Sequence, residues 1–257
     1  MMGAGMTCAG MTRGDRSRMN GVRMRRPLAV AVAQPRCLPY EVGVNAARHA
    51  AVIRSAGARV VVFPELSLTG YHLDAPAITV EDPRLAPVVD ACAETGSSAL
   101  LGAPVVGRAD QAYIAMLAVD AAGVTVRYRK MHVDETESGR FAPGDAPAVL
   151  EIDGWRLGLA ICRDTGFPRH AVQTAALGID AYVAGTLTAA EGAERQDERA
   201  RRIATEHHVW VAMAGFAGST GGGFARAAGR SGIWSPAGEV VARAGPDVDA
   251  VARATLT

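Results

Sequence analysis

The segment Leu157-Gly158-Leu159-Ala160-Ile161-Cys162 carries an unbroken apolar run into a thiol. Continuous rather than alternating apolarity is the pattern of a strand covered on both faces. Upstream, Val149–Ile152, a turn at Asp153-Gly154 and Arg156–Ile161 read as a hairpin. Downstream, a helix is expected over about Arg169–Leu177 and a strand over Ala181–Ala184. Two other segments end the same way. Val60-Val61-Val62-Phe63 is a buried-strand run that passes through Pro64 into the carboxylate of Glu65, and Val126-Arg127-Tyr128-Arg129 leads into the cation of Lys130. A carboxylate desolvated at the end of a buried strand has a raised pKa, which suits general-base work. Taken singly, each residue has a plain reading: a surface carboxylate, a solvated loop lysine, and a small buried hydrophobe, which most free cysteines are. Three such endings in one chain outweigh any one of them.

The remaining chain alternates short apolar runs with helical patterns. Leu28–Ala33 reads as the first strand. Asn45 is expected to cap a helix that runs to Ala56 and stops at Gly57. A helix around Pro87–Glu94 precedes a strand at Ser98–Gly102, and Ala112–Val119 with Val124–Tyr128 forms a hairpin across Ala121–Gly123. Ala193–His208 has the charged face of an exposed helix, with Glu198 and Arg202 spaced as an i,i+4 pair. Val209–Ala214 is a strand, and Gly229–Ala244 holds a last hairpin turning at Pro236–Gly238. Helices alternating with strands and hairpins imply an α/β fold with one mixed sheet or two, helices outside. Ser219–Gly223 reads as a flexible loop, because it neither opens a helix nor ends in Gly-Lys-Ser/Thr.

Composition bounds the function. With 257 residues, 49% hydrophobic and 21% charged, the chain is too apolar for a disordered protein and long enough for one substantial core. The 27 basic residues are 26 arginines and the single Lys130. A net charge of +1 excludes a globally basic nucleic-acid binder. Residues 1–26 carry six arginines against one aspartate, so the basic excess lies in the tail. Residues 1–24 are expected to be a disordered basic extension, with Met19 and Met24 as alternative starts, and 25–257 to form the domain. Cys8, Cys37, Cys92 and Cys162 are scattered, which fits neither a disulfide framework nor a zinc site and makes a reducing cytoplasm the default. No apolar run approaches the roughly 18 residues of a membrane helix. His207 and His208 are adjacent and point apart on a helix, so they form no metal pair.

Glu65, Lys130 and Cys162 also stand in specific surroundings. Phe63-Pro64-Glu65-Leu66-Ser67-Leu68-Thr69-Gly70-Tyr71, Tyr128-Arg129-Lys130-Met131-His132, the segment Glu137–Gly144, Gly158–Pro168 and the late hairpin Gly229–Gly238 together resemble the signatures of the nitrilase-like carbon–nitrogen hydrolase superfamily, in its amidase-like branch. The resemblance runs from about residue 28 to 244. It implies a four-layer α-β-β-α sandwich with two mixed sheets, and one pocket where Glu65, Lys130 and Cys162 meet. It also implies a homo-oligomer, a dimer or higher. No metal or organic cofactor, nucleic acid or membrane is implied; the partner is a small-molecule amide.

On this resemblance Glu65 is the general base that takes the Cys162 proton and passes it to the departing amine. Lys130 and the backbone N–H of Arg163 stabilise the oxyanion. Glu137, four residues before Phe141, holds Lys130 and positions substrate or water, with Glu135 as the neighbouring alternative. Asp164 is expected as a buried hydrogen-bonding support for the nucleophile turn, Tyr71 at the pocket border, and His72 and His132 in structural roles. The expected chemistry is hydrolysis of a small carboxamide or N-carbamoyl compound through a Cys162 thioester. A nitrilase, an acyltransferase and a catalytically silent binding or regulatory subunit are the alternatives. True nitrilases carry Trp-Glu after the nucleophile, whereas this chain has Arg163-Asp164. Arg163 is open between a handle for a substrate carboxylate and a residue facing a subunit neighbour. Arg169 after Phe167-Pro168, and Gly215-Phe216 where an asparagine is common, are further departures expected near the pocket.

Overall fold

The computed structural model describes residues 25–107 and 111–257. The extension expected at residues 1–24, and Cys8 within it, lie outside the described residues. In chain order the helices are α1 (Val42–Ala56), α2 (Ala86–Thr95), α3 (Glu135–Ser138), α4 (Pro168–Ala175) and α5 (Ala193–His207). The strands are β1 (Leu28–Gln34), β2 (Val60–Val62), β3 (Ser98–Val106), β4 (Ala112–Asp120), β5 (Gly123–Arg129), β6 (Ala148–Ile152) and β7 (Trp155–Ile161). They continue as β8 (Ala181–Thr186), β9 (Trp210–Gly215), β10 (Ala217–Gly218), β11 (Ala227–Ala228), β12 (Gly232–Trp234), β13 (Val240–Arg243) and β14 (Ala250–Leu256).

Two six-stranded mixed sheets result, in the orders β14-β1-β2-β3-β4-β5 and β13-β12-β9-β8-β7-β6. Each has two parallel steps, β1–β2–β3 in one and β7–β8–β9 in the other, flanked by antiparallel neighbours. Alternate residues of the central strands feed different cores. Val30, Val32 and Val62 meet Leu157, Leu159 and Val183 between the sheets. Ala31, Val61 and Phe63 pack outward on Ala46, Ala50 and Ile53 of α1. Ala160, Tyr182 and Ala184 pack outward on Ala171 of α4 and on Ala200 and Ile203 of α5. The layers are therefore α-β-β-α, and burial on both faces explains the continuous apolar runs.

Four local expectations differ from the structure. Asn45 does not cap α1, which begins three residues earlier; its amide is spent on Leu38 O (2.8 Å) and Leu68 O (3.0 Å), tying the helix to two loops. The strand expected to stop at Gly102 continues to Val106 through Pro104, because β2 pairs only as far as Leu100 and no N–H is needed on that side. The hairpin expected within Gly229–Ala244 is present as β12–β13, but it does not end the fold. β14 follows it and closes the first sheet against β1, with small Ala252 and Ala254 as its buried alternation. Arg202 does not pair with Glu198; it donates instead to Thr165 O (3.1 Å), joining α5 to the loop after Cys162.

Two glycines set how closely the sheets' ends approach. A Cβ at Gly102 of β3 would lie 2.4 Å from Pro64 O, and one at Gly185 of β8 would lie 2.7 Å from Phe63 O. The turn that presents Glu65 is thus clasped between a strand of each sheet, at positions where only hydrogen fits.

Candidate active site

The turns after β2, β5 and β7 converge at one end of the sandwich, and each presents the residue that the sequence singles out. Glu65, Lys130 and Glu137 are each 1% exposed. The Lys130 ammonium donates to Glu65 Oε1 at 2.6 Å and to Glu137 Oε1 and Oε2 at 2.7 and 2.8 Å. Its backbone is fixed on both sides, since Lys130 N donates to Ile114 O and Gly144 N donates to Lys130 O, each at 2.8 Å. Glu137 is oriented by the cap of α3: its Oε2 accepts the Asp134 N–H at 2.6 Å, and its Oε1 accepts the Tyr71 hydroxyl at 2.6 Å. Glu135, the neighbouring candidate, is exposed. Removing one partner from such a buried set leaves an uncompensated charge, at a cost of about 3–5 kcal/mol.

Cys162 follows β7 directly, with φ 41°, a left-handed conformation costly for a residue with a Cβ. The strain is held by its neighbours. Asp164, fully buried, accepts from Ile161 N (3.0 Å), Tyr128 OH (2.7 Å) and His132 N and Nδ1 (2.9 Å each). Thr165 Oγ1 donates to Cys162 O at 2.7 Å. The Cys162 thiol donates to Leu187 O at 3.1 Å. His132 stacks on Phe167 with ring centroids 4.1 Å apart. Asp164 thus joins the end of β7 to the segment that carries His132.

The ionisation of this cluster follows from its burial. Desolvation pushes the Glu65 carboxyl above the ordinary range, against the pull of Lys130. Burial likewise opposes the charge on Lys130, but Glu65, Cys162 and Glu137 outweigh it and hold the ammonium charged. Burial, reinforced by Glu65, pushes the Cys162 thiol up, and Lys130 offsets only part of that. Burial therefore favours the neutral thiol form of Cys162. Glu65 Oε2 is buried and has no hydrogen-bond partner among the described residues. Cys37 and Cys92 are buried thiols pushed up to about 12 and about 11, mainly by desolvation, and lie outside the site.

A cavity of about 590 Å³ opens on Glu65, Lys130, Glu137, Cys162 and Tyr71. Of the expected departures near the pocket, Arg163 lines the cavity, whereas Arg169 and Gly215-Phe216 do not. Gly215 N–H instead donates to Ser231 Oγ within the core (2.9 Å). The Arg163 guanidinium is spent on Asp134 and lies over the Phe167 ring. The largely exposed Ser219–Gly223 loop touches the site at Tyr71: Thr220 Oγ1 accepts the Tyr71 N–H at 2.9 Å, and a Cβ at Gly221 or Gly222 would collide with Tyr71. Phe224, just beyond, meets the Tyr71 ring edge-on at 5.5 Å and forms part of the cavity wall. Arg195 and Arg199 of α5 also line the cavity, and the sequence reading missed them. Their i,i+4 spacing was visible, but a fully charged helix does not show which face turns inward. Among the described residues no three His, Cys, Asp or Glu side chains converge to hold a metal ion.

The sequence model of the family described as carbon-nitrogen hydrolase matches residues 29–257, and the chain belongs to that family. A hydrolase of Pseudomonas protegens, named for its position in the pqqF 5′ region, is 31% identical over 238 residues, covering 89% of this chain and 82% of that protein. An (R)-stereoselective amidase from a Pseudomonas species is 28% identical over 194 residues, covering 73% of this chain and 69% of its own length. Among solved structures, the Nesterenkonia AN1 amidase of the nitrilase superfamily superposes with a TM-score of 0.81 at 23% identity, covering 89% of this chain and 90% of its own; at that identity the likeness shows the fold.

Proposed function

We propose that the protein is a cofactor-independent amidase that cleaves a small carboxamide or N-carbamoyl compound through a thioester on Cys162. The observation that carries this reading is the unpartnered Oε2 of Glu65 in a cavity it shares with the Cys162 thiol, while its Oε1 is held by Lys130. A carboxylate so placed has one oxygen anchored and one free to move a proton. The amidase among the relatives and the family's carbon–nitrogen chemistry point the same way.

In the first half-reaction Glu65 takes the proton of Cys162 as sulfur attacks the substrate's carbonyl carbon. The oxygen of the resulting tetrahedral species carries the negative charge, facing the Lys130 ammonium and the N–H of Arg163. Collapse breaks the C–N bond, with the proton returned from Glu65 to nitrogen, releasing ammonia or an amine and leaving the thioester. In the second half-reaction Glu65 takes a proton from water, the hydroxyl adds to the thioester carbon, and Cys162 leaves as thiol once the proton is returned. Tyr71 and Glu137 keep Lys130 in place. Desolvation of the site strengthens each of these interactions relative to water.

The test is ammonia release from a panel of primary amides, N-carbamoyl compounds and nitriles, with Cys162→Ala alongside. Amide turnover lost by about 10⁴-fold or more in Cys162→Ala is expected for a nucleophile. Turnover retained in that variant contradicts the mechanism, turnover of nitriles alone would make the protein a nitrilase, and silence on every compound would favour a binding subunit.

A further inference from the structure

Behind the nucleophile turn, Tyr128 of β5, Asp164, His170 of α4 and Tyr182 of β8 are buried polar side chains, none more than 2% exposed. They form one line. Tyr182 OH lies 2.9 Å from His170 Nδ1, His170 Nε2 lies 2.8 Å from Tyr128 OH, and Tyr128 OH lies 2.7 Å from Asp164 Oδ2. The proposed reaction uses neither His170 nor Tyr182. Counting protons gives the line a direction. Burial opposes the charge on Asp164, but hydrogen bonds from His132, Tyr128 and the Ile161 N–H outweigh it and hold the carboxyl below its ordinary pKa. Asp164 therefore only accepts, and Tyr128 spends its one proton there. The next link must then be donated by His170 Nε2–H. Burial lowers the His170 pKa against the pull of Asp164, so the ring is neutral and its Nδ1 accepts the Tyr182 hydroxyl. Thr174 does not compete for that nitrogen, because its Oγ1 donates to His170 O at 2.8 Å.

We infer that His170 is a positioning residue for the reaction: by donating to Tyr128 it aims the Tyr128 hydroxyl at Asp164, and so fixes the spacing between Lys130 and Cys162. This rests on the amidase reading of the site and adds a residue to it. Tyr128 stands two residues before Lys130, and Asp164 two residues after Cys162. Lys130 follows a strand of one sheet and Cys162 a strand of the other, so the Tyr128–Asp164 bond is a clamp across the sandwich beside the site. A phenol hydroxyl with an acceptor on one side only can rotate about its C–O bond, and a donor on the other side removes that freedom. The other donor to Tyr128 O among the described residues is the Met131 N–H at 3.4 Å, too long to hold it alone. Asp164 passes the constraint on. Its Oδ2 also accepts Ile161 N, one residue before the strained Cys162, and its Oδ1 holds His132, two residues beyond Lys130. Tyr182 anchors the far end of the line in β8, the strand beside β7.

Three substitutions separate this role from packing. His170→Leu removes both polar atoms, His170→Gln keeps a donor near the Nε2 position, and His170→Asn keeps a polar atom near Nδ1 alone. Two quantities are read: kcat and KM on an amide that the unmodified enzyme turns over, and the pH dependence of Cys162 alkylation by iodoacetamide, located by peptide mapping, which needs no turnover. His170→Leu is expected to lose about tenfold or more in kcat with KM changed no more than about twofold. Its alkylation profile should shift to higher pH, because burial and Glu65 already push the thiol up and Lys130, which offsets them, is held less closely. His170→Gln should recover most of both quantities, and His170→Asn neither. Leucine also leaves the Tyr182 hydroxyl without a partner, so the double variant His170→Leu/Tyr182→Phe is made; it should regain stability in denaturant titration but not kcat. Circular dichroism of each variant establishes that the fold is kept, and the two polar variants carry the comparison if leucine unfolds the chain. Unchanged kcat and alkylation in His170→Leu, asparagine restoring as much as glutamine, or activity returning with stability in the double variant would overturn the positioning role. Alkylation that follows the leucine and glutamine pattern in a protein that releases ammonia from no amide keeps that role and sinks the amidase reading. Amide turnover indifferent to His170 does the reverse.

Discussion

The cavity has an inner and an outer wall that handle charge in opposite ways. Inside, Glu65, Lys130 and Glu137 are almost fully buried and every charge is answered within 2.8 Å. Outside, Arg163 is balanced by Asp134 in partial contact with solvent, while Arg195 and Arg199 make no ion pair among the described residues. Desolvated charges must be paired or they neutralise, so the inner wall has little freedom in residue type. Solvated charges are cheap to place and cheap to change, so the outer wall is where substrate preference can vary on a fixed chemistry.

The sharpest way to break this contrast is at the inner wall. Glu65→Gln keeps the shape and removes the proposed base, and a loss of about 10³-fold in kcat is expected. The pH profile of the unmodified enzyme carries the same information. Glu65 must be ionised to act, and burial raises its pKa, so activity should fall on acidification at a pH above the usual carboxylate value of about 4.3. An acid limb at the ordinary carboxylate pKa would mean that Glu65 is not the base.

Lys130→Arg comes next. It preserves charge but puts a planar guanidinium into a site where a compact ammonium reaches three carboxylate oxygens. A loss of about 10²-fold in kcat is expected, in the range of a lost oxyanion donor. A fully active variant would show that only the charge matters. In a chain that otherwise writes every cation as arginine, that result would also make Lys130 a remnant.

Gly185→Ala tests whether inner-wall geometry depends on close packing. Its new Cβ must displace the Phe63 carbonyl 2.7 Å away and with it the Glu65 turn. Destabilisation of about 1–3 kcal/mol by denaturant titration is expected, with a larger proportional loss of kcat than of KM. Unchanged stability and kcat would show that the turn can yield. The smallest effect belongs to the outer wall. Arg163→Gln removes a half-exposed ion pair worth about 1 kcal/mol or less, so stability and turnover of a neutral amide should change no more than a few-fold. A collapse of activity would instead place the Arg163 side chain in the chemistry.

The same contrast explains what could be read from the sequence. Glu65 and Cys162 each follow a strand buried on both faces, whereas Lys130 follows the edge strand β5, where Thr125, Arg127 and Arg129 are exposed; a reactive side chain at the end of an apolar run stands out. The separation of the sheets followed from the family resemblance, because apolar runs do not say which strands pair. β14 escaped notice because its inward residues include Ala252 and Ala254, too small to stand out against the alanine-rich background. Asn45 has the right residue type for a helix cap, yet bonds formed with Leu38 and Leu68 place it inside α1. That Arg195 and Arg199 of α5 line the cavity was not legible in the sequence. Their inward turn is set by Arg202 on Thr165 O and by the absent side chain at Gly166, which are contacts between distant segments.

The most direct measurement is intact-mass trapping of an acyl group on Cys162 during turnover of a mixed amide library, followed by peptide mapping. The expected result is a mass increase equal to the acyl group less one hydrogen, located on Cys162, with at least one ammonia released per adduct. Ammonia released with no adduct on Cys162 at any quench time, or an adduct confined to another residue, would contradict a Cys162 thioester.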